Sequence, residues 1–266
     1  MNEIGIQELR KIQLEILKRT AEFCDQNSIR YFLCGGTLLG AIRHQGYIPW
    51  DDDIDIMLPR PDYERLISEF EIDGLEICTY RQTKNYLWPF VKISDPNTRL
   101  LSAGKIIDNI GVNIDAFPID GFPTDSKKLN LQIRKIAHLR TIYNYWRWNQ
   151  PILNNDLGWK PKLEILFTKC IKLFFSFEKL LAYIDRMGGK YKFNNSEKAG
   201  IAIWGYGIKE VCPQKVFTEK TDVLFENIYF SAPKDYHTYL CCVYGDYMKL
   251  PPEEERQIHK TVSYLK

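Results

Sequence analysis

Four aspartates in five positions, Asp51, Asp52, Asp53 and Asp55, run directly into the apolar segment Ile54 to Leu58. Side chains alternate along a strand, so a strand here sends Ile54 and Ile56 to a core. It turns Asp51, Asp53 and Asp55 to the opposite face and points Asp52 away from them. Carboxylates stacked on one face repel each other and resist desolvation unless a cation sits between them, and Mg²⁺ or Mn²⁺ is the simplest choice. A solvated acidic turn is the bland alternative, weakened because the charges end on a buried-looking strand. A calcium loop needs glycine at its sixth position and glutamate at its twelfth. Ile56 and Asp62 stand there instead.

Upstream lies YFLCGGTLLGAIRHQG. Ile29 to Cys34 is β-prone, Gly35-Gly36 ends it, and Thr37 to Arg43 reads as a short helix capped by Thr37 and stopped by Gly46 and Pro49. Glycines let a backbone approach a phosphate, and the first amides of a helix favour an anion. Gly35, Gly36 and Thr37 are therefore a candidate phosphate cradle, one short helix away from the aspartates. Cys34 precedes the bend and reads as a core thiol.

Elsewhere, residues 6 to 26 have the spacing of an amphipathic helix. Pro59 to Phe70 begins another helix, with strand-like segments at 75 to 80, 87 to 94 and 111 to 117. Lys, Arg and aromatic residues at helical spacing from 125 to 190, with a polar break at Asn154 to Gly158, read as a helical insertion. A β-like pattern returns at 201 to 230, ahead of a turn-rich tail. The chain thus reads as a mixed α/β core over 1–124, a helical insertion over 125–190, and a segment over 191–266 that completes core and cleft.

These features resemble the nucleotidyltransferase pattern: a strand and a glycine pair, an acid-apolar-acid-apolar strand, and a third carboxylate on another strand. Gly35-Gly36, Asp53-Ile54-Asp55-Ile56 and Asp115 in GVNIDAF match in turn. More narrowly, GTLLGAIRHQGYIPWDDDIDI resembles the LicD family, to which fukutin-like proteins are related. The likeness continues in WPFVKISDPNT, NIDAFPIDGFP, FENIYFSAP and YGDYMKLPPEEERQIH.

The resemblance implies a nucleotidyltransferase-like mixed sheet with flanking helices and a metal-dependent transferase. Such an enzyme moves a phospho-substituent, phosphocholine from CDP-choline first among them, to a sugar hydroxyl of a glycan such as teichoic acid or lipooligosaccharide. Ribitol phosphate or phosphoethanolamine from a CDP donor, nucleotidyl transfer from an NTP, and a silent binding module are the alternatives. Asp53 and Asp55 would hold Mg²⁺ or Mn²⁺, with Asp51 as a further ligand or neighbour and Asp115 as ligand or base. Arg43 and Lys92 are candidate phosphate contacts. Trp50 is a candidate to stack on cytosine or face a quaternary ammonium, or to pack in the core. Asp120 reads as a turn residue within reach of the site. His44 and His259 are isolated, and Tyr244, Asp246, Tyr247 and Arg256 lie in a tail able to close over the cleft.

Thirty-six basic against 34 acidic residues argue against a general nucleic-acid binder. Seven cysteines without a C-x-x-C pair fit free thiols, and no signal-peptide pattern opens the chain, so a cytoplasmic protein is expected. Residues 160 to 187 mix five lysines with Leu, Ile and Phe. A helix packed on the catalytic core is the expectation, and peripheral contact with an anionic membrane near a polyprenyl-linked acceptor is the alternative.

Overall fold

The structure is a computed structural model that describes residues 3–102, 105–107, 110–148, 159–256 and 262–265. The first half runs α1 (Ile6–Gln26), β1 (Phe32–Leu33), α2 (Gly35–His44), β2 (Asp55–Pro59), α3 (Arg60–Glu69) and β3 (Glu76–Cys78). It continues with β4 (Val91–Ser94), β5 (Thr98–Ser102), β6 (Lys105–Ile107) and β7 (Asn113–Phe122). Three helices follow, α4 (Ser126–Trp148), α5 (Trp159–Lys172) and α6 (Phe177–Gly188). Then come β8 (Lys198–Ile201), β9 (Cys212–Pro213), β10 (Lys220–Phe225), β11 (Ile228–Pro233), α7 (Tyr236–Tyr244) and β12 (Val262–Leu265).

The architecture is a mixed α/β fold around a curled sheet with strand order β1-β2-β7-β4-β3. β2 runs parallel to β7, and the other pairings of this sheet are antiparallel. Ile56, Met57 and Leu58 are all fully buried, so β2 is covered on both faces, as a central parallel strand should be. α1 closes one side through Leu9, Ile16 and Leu17.

Asp120, expected in a turn, lies within β7. Pro118 and Gly121 are turn signals, yet the strand runs through both. β4 pairs with residues 113 to 116 and β8 with 119 to 122. Pro118 therefore falls in the gap between two partners on that edge, where its missing N–H costs no hydrogen bond. Asp120 is on the strand and fully buried, where Arg60 binds both its carboxylate oxygens at 2.7 Å.

Residues 160 to 187 form two helices rather than one. The chain breaks at Leu173 to Ser176, and the Ser176 hydroxyl caps α6 by accepting from the Lys179 N–H. The polar break at Asn154 to Gly158 lies outside the described residues, as does His259. Among the described residues no helix is long and apolar enough to cross a membrane.

The β10–β11 hairpin turns on Glu226 and Asn227, both at positive φ (50° and 63°), the two-residue geometry that suits strand twist. Its tip grips the loop after α2. The Glu226 N–H donates to the Gln45 carbonyl at 3.0 Å, and the Glu226 carboxylate accepts from the Tyr47 N–H at 3.1 Å.

Candidate active site

Asp51 to Ile54 are loop, and strand pairing begins only at Asp55. α1 holds that loop by its carbonyls: the Arg10 guanidinium donates to Ile48, Pro49 and Asp51, and the Gln13 amide to Asp52 at 2.9 Å. Alternation nonetheless runs through the loop: Asp51, Asp53 and Asp55 are half-buried, whereas Asp52, Ile54 and Ile56 are buried. Asp52 is buried in keeping with a side chain turned from the other two, though one carboxylate oxygen each from Asp51, Asp52 and Asp53 lie within 4.8 Å of one another.

Asp55 is fixed from two directions. Its N–H donates to the Thr37 hydroxyl at 2.8 Å and its carbonyl accepts from the Cys34 N–H at 3.1 Å. This corrects the expected cap, since α2 begins at Gly35 behind Cys34 and Thr37 lies inside it, its hydroxyl engaged by β2. Gly35 has φ +52°, and its N–H donates to the Tyr239 hydroxyl at 3.3 Å. A Cβ on Gly36 would lie 2.5 Å from Asp51 Oδ2, and one on Gly35 would lie 3.2 Å from Asp55 Oδ2. Glycine is required because the carboxylates approach the backbone directly.

Sheet register supplies the third carboxylate. Asp55 on β2 is level with Asp115 on β7, and Asp115 is level with Lys92 on β4. Burial drives the Asp55 carboxyl well above its ordinary range, and Asp53, Asp115 and Asp51 push it further, with Lys92 opposing. Burial also raises Asp115, against the pull of Lys92. The Lys92 ammonium donates to Asp115 and, at 3.0 Å, to Asn113 Oδ1, while lying 4.7 Å from the Trp88 ring centroid. Lys92, expected as a phosphate contact, is buried and paired with Asp115.

Two adjoining cavities meet at Gly36, Asp53 and Asp55. The outer, of about 570 Å³, is lined by Arg43, Trp50, Asp51, Tyr244, Tyr247 and Lys249 among others. The inner, of about 290 Å³, is lined by Asp115, Arg140, Trp204, Tyr206, Glu210 and Tyr239 among others. Both volumes are of the order of small-ligand sites. Arg43 donates to the Tyr247 carbonyl at 3.0 Å and to His44 Nε2 at 3.0 Å, which ties the tail to α2. The Arg256 guanidinium sits 4.9 Å from the Trp50 ring. Asp246 lines the outer cavity too.

The inner wall was not anticipated. Glu210 is 2% exposed, and its Oε1 accepts from the Tyr206 N–H at 3.3 Å. Its Oε2 has no hydrogen-bond partner, and burial lifts the carboxyl to about 7. A Cβ on Gly205 would lie 2.5 Å from its Cδ, so the loop is shaped around this side chain. Nothing in the local pattern distinguishes Glu210 from a surface glutamate. Asp120 lies apart in its ion pair with Arg60, outside both cavities.

The profile described as LicD/FKTN/FKRP, nucleotidyltransferase domain, matches residues 28–120. Lipopolysaccharide cholinephosphotransferase LicD of Haemophilus influenzae is 30% identical over 269 residues, covering 97% of each chain. An uncharacterized protein of Rickettsia prowazekii, RP689, is 39% identical over half of this chain and 54% of its own length. Ribitol 5-phosphate transferase FKRP of Mus musculus is 32% identical over 79 residues, 28% of this chain and 15% of the relative. The profile match spans the glycine bend and Asp51, Asp53, Asp55 and Asp115, and the full-length similarity extends it across the chain: this protein belongs to the LicD family and is a LicD-type phosphotransferase.

Proposed function

We propose that this enzyme transfers phosphocholine from CDP-choline to a sugar hydroxyl of a cell-surface glycan precursor, such as teichoic acid or lipooligosaccharide, and releases CMP. The coarser activity, movement of a phospho-alcohol onto a glycan, rests on family membership. One observation carries the mechanism: Asp51, Asp53 and Asp55 meet the Gly35-Gly36 bend in one cleft, and Asp115 joins them by register.

That donor set suits a hard divalent cation. The groups are all oxygen, Asp55 is destabilised as an anion by its neighbours, and the glycines leave the carboxylates room to converge. Asp53, Asp55 and Asp115 would hold Mg²⁺ or Mn²⁺, with Asp51 beside them. The ion would offset the charge of the donor diphosphate and of the departing CMP. The chain's own residues then position the reactants. The start of α2 at Gly36 lines both cavities, where the diphosphate would lie, and Trp50, Tyr244 and Tyr247 offer faces for the cytidine in the outer cavity. Lys92 holds the Asp115 carboxylate in place. The acceptor oxygen forms a bond to phosphorus as the bond to CMP breaks in line, and the hydroxyl proton leaves to a base.

The test is CMP release by purified protein from a panel of CDP-alcohols, with each divalent ion and with candidate glycan acceptors. CMP formed from CDP-choline only with metal present is expected. Pyrophosphate from CTP would instead favour nucleotidyl transfer, and turnover of CDP-ribitol alone would move the donor toward the one suggested by FKRP.

A further inference from the structure

We infer that the corner between α5 and α6 docks on an anionic lipid bilayer. Leu163, Leu166 and Phe167, at helical positions i, i+3 and i+4, lie on one face of α5 and are each at least 50% exposed. α5 turns Ile165 and Thr168 inward, so this is a second apolar stripe that the core does not cover. At the break, Leu173 and Phe174 are 79% and 77% exposed, and Phe175 beside them is exposed too. Isolated exposed apolar residues are ordinary, but a contiguous stripe of this length marks an interaction surface.

Its surroundings choose the partner. Between 159 and 188 there are six basic and three acidic residues, an excess of +3 in a chain of net charge +2. Lys162 and Lys169 flank the stripe by helical spacing. Lys160 lies 5.5 Å from the Trp159 ring and Arg186 lies 5.1 Å from the Tyr183 ring, aromatic and basic pairs of the kind that sit at headgroup level. Beside Phe175, a cavity of about 510 Å³ lined by Leu139, Ile142, Ile171 and Leu180 has Lys179 and Arg186 among its lining residues. An apolar chain with an anionic head fits that chemistry. A second copy would set this basic surface against itself.

Co-sedimentation with vesicles of phosphatidylcholine, with and without phosphatidylglycerol, tests the proposal. Binding is expected to the anionic vesicles and to weaken with salt. The triple variant Leu173→Ser, Phe174→Ser, Phe175→Ser should lose about tenfold or more in vesicle affinity while melting like the wild type. Lys169→Glu should weaken binding as well. Equal binding by the triple variant would overturn the inference. So would a wild-type dimer, abolished by the triple variant, in a protein that ignores vesicles.

The unpaired Oε2 of Glu210 carries a second, independent proposal, which rests on the CDP-alcohol reading above. We propose that the inner cavity selects a donor whose transferred group ends in a quaternary ammonium, with Glu210 as its counter-charge. Phe117, Trp204, Tyr206 and Tyr239 line the cavity and offer aromatic faces. Arg140 is already engaged, donating to the Gly205 carbonyl at 2.8 Å and lying 5.1 Å from the Trp204 ring. A buried carboxylate with one oxygen left unpaired acts through its field on whatever cation enters, and that field is strong where water is excluded.

Calorimetric titration with CDP-choline and with its uncharged isostere, in which tert-butyl replaces trimethylammonium, separates the possibilities. The wild type should prefer the cation by about tenfold, within the range of desolvated cation–π contacts, and Glu210→Gln should erase most of that preference. An equal preference in wild type and variant would overturn the role of Glu210 and leave the donor class standing. Failure of every CDP-alcohol to bind would remove both.

Discussion

Lys92 and Asp115 meet because β4 and β7 are neighbours in register, a relation between residues 23 positions apart. No local pattern announces it, and a lysine read alone is assigned to the surface. The acid-rich run and the glycine bend are different, because their signals are short-range and their residues fall into one cleft. Asp55→Asn should abolish CMP release while leaving the melting temperature equal or higher, since it removes one of several repelling buried charges. Activity and thermal denaturation on the same preparation check this. Glu210 offers a test by pH. Its folded value of about 7 exceeds the ordinary 4.5, so the folded state holds a proton that the unfolded chain releases between those values. Stability should therefore fall as pH rises from about 4.5 to about 7 and stay lower above, by at most about 3 kcal/mol. Glu210→Gln should flatten that slope in urea denaturation across the same range.

At the scale of elements, an ion network fastens α3, β7 and α6 together. Arg60, at the start of α3, binds Asp120 on β7 and, at 2.7 Å, Asp185 on α6, while Arg81 and Tyr80 also reach Asp185. Burial raises the Asp185 carboxyl, but Arg60, Tyr80 and Arg81 outweigh it and hold it below its usual range. Removing Arg60 strands a fully buried Asp120. Arg60→Ala should cost about 3 to 5 kcal/mol in urea denaturation, and the double variant Arg60→Met, Asp120→Leu should recover much of it. The helices were legible wherever apolar spacing was regular, as in α1 and α3. The break between α5 and α6 was not, because Leu173 to Phe177 keeps an apolar character through the turn and only Ser176 marks the new cap. Likewise Pro118 and Gly121 disguised a continuous strand, since the gap between β4 and β8 is visible only in three dimensions.

Across the whole molecule, the cleft joins parts of the chain that are far apart in sequence. The floor comes from β2, β7 and the start of α2, and the walls come from Tyr206, Glu210, Tyr239, Tyr244 and the tail. Composition and motif predicted a mixed α/β enzyme with a tail able to close the cleft, and Tyr244, Asp246 and Tyr247 do line it. Tyr206, Glu210 and Tyr239 carried no sequence signal, because their contacts depend on tertiary packing alone. CDP-choline near a hundredfold its Kd should raise the melting temperature by about 5 to 10 °C with Mg²⁺ or Mn²⁺ present and far less in excess chelator. Differential scanning fluorimetry reads both. The hairpin tip that clasps residues 45 and 47 adds a temporal consequence. A nascent polypeptide exposes its acidic loop early, but Glu226 is translated long afterwards, so the catalytic apparatus matures only near the end of synthesis. Until then the ribosome-bound protein lacks the clasp on residues 45 and 47, just ahead of its aspartates.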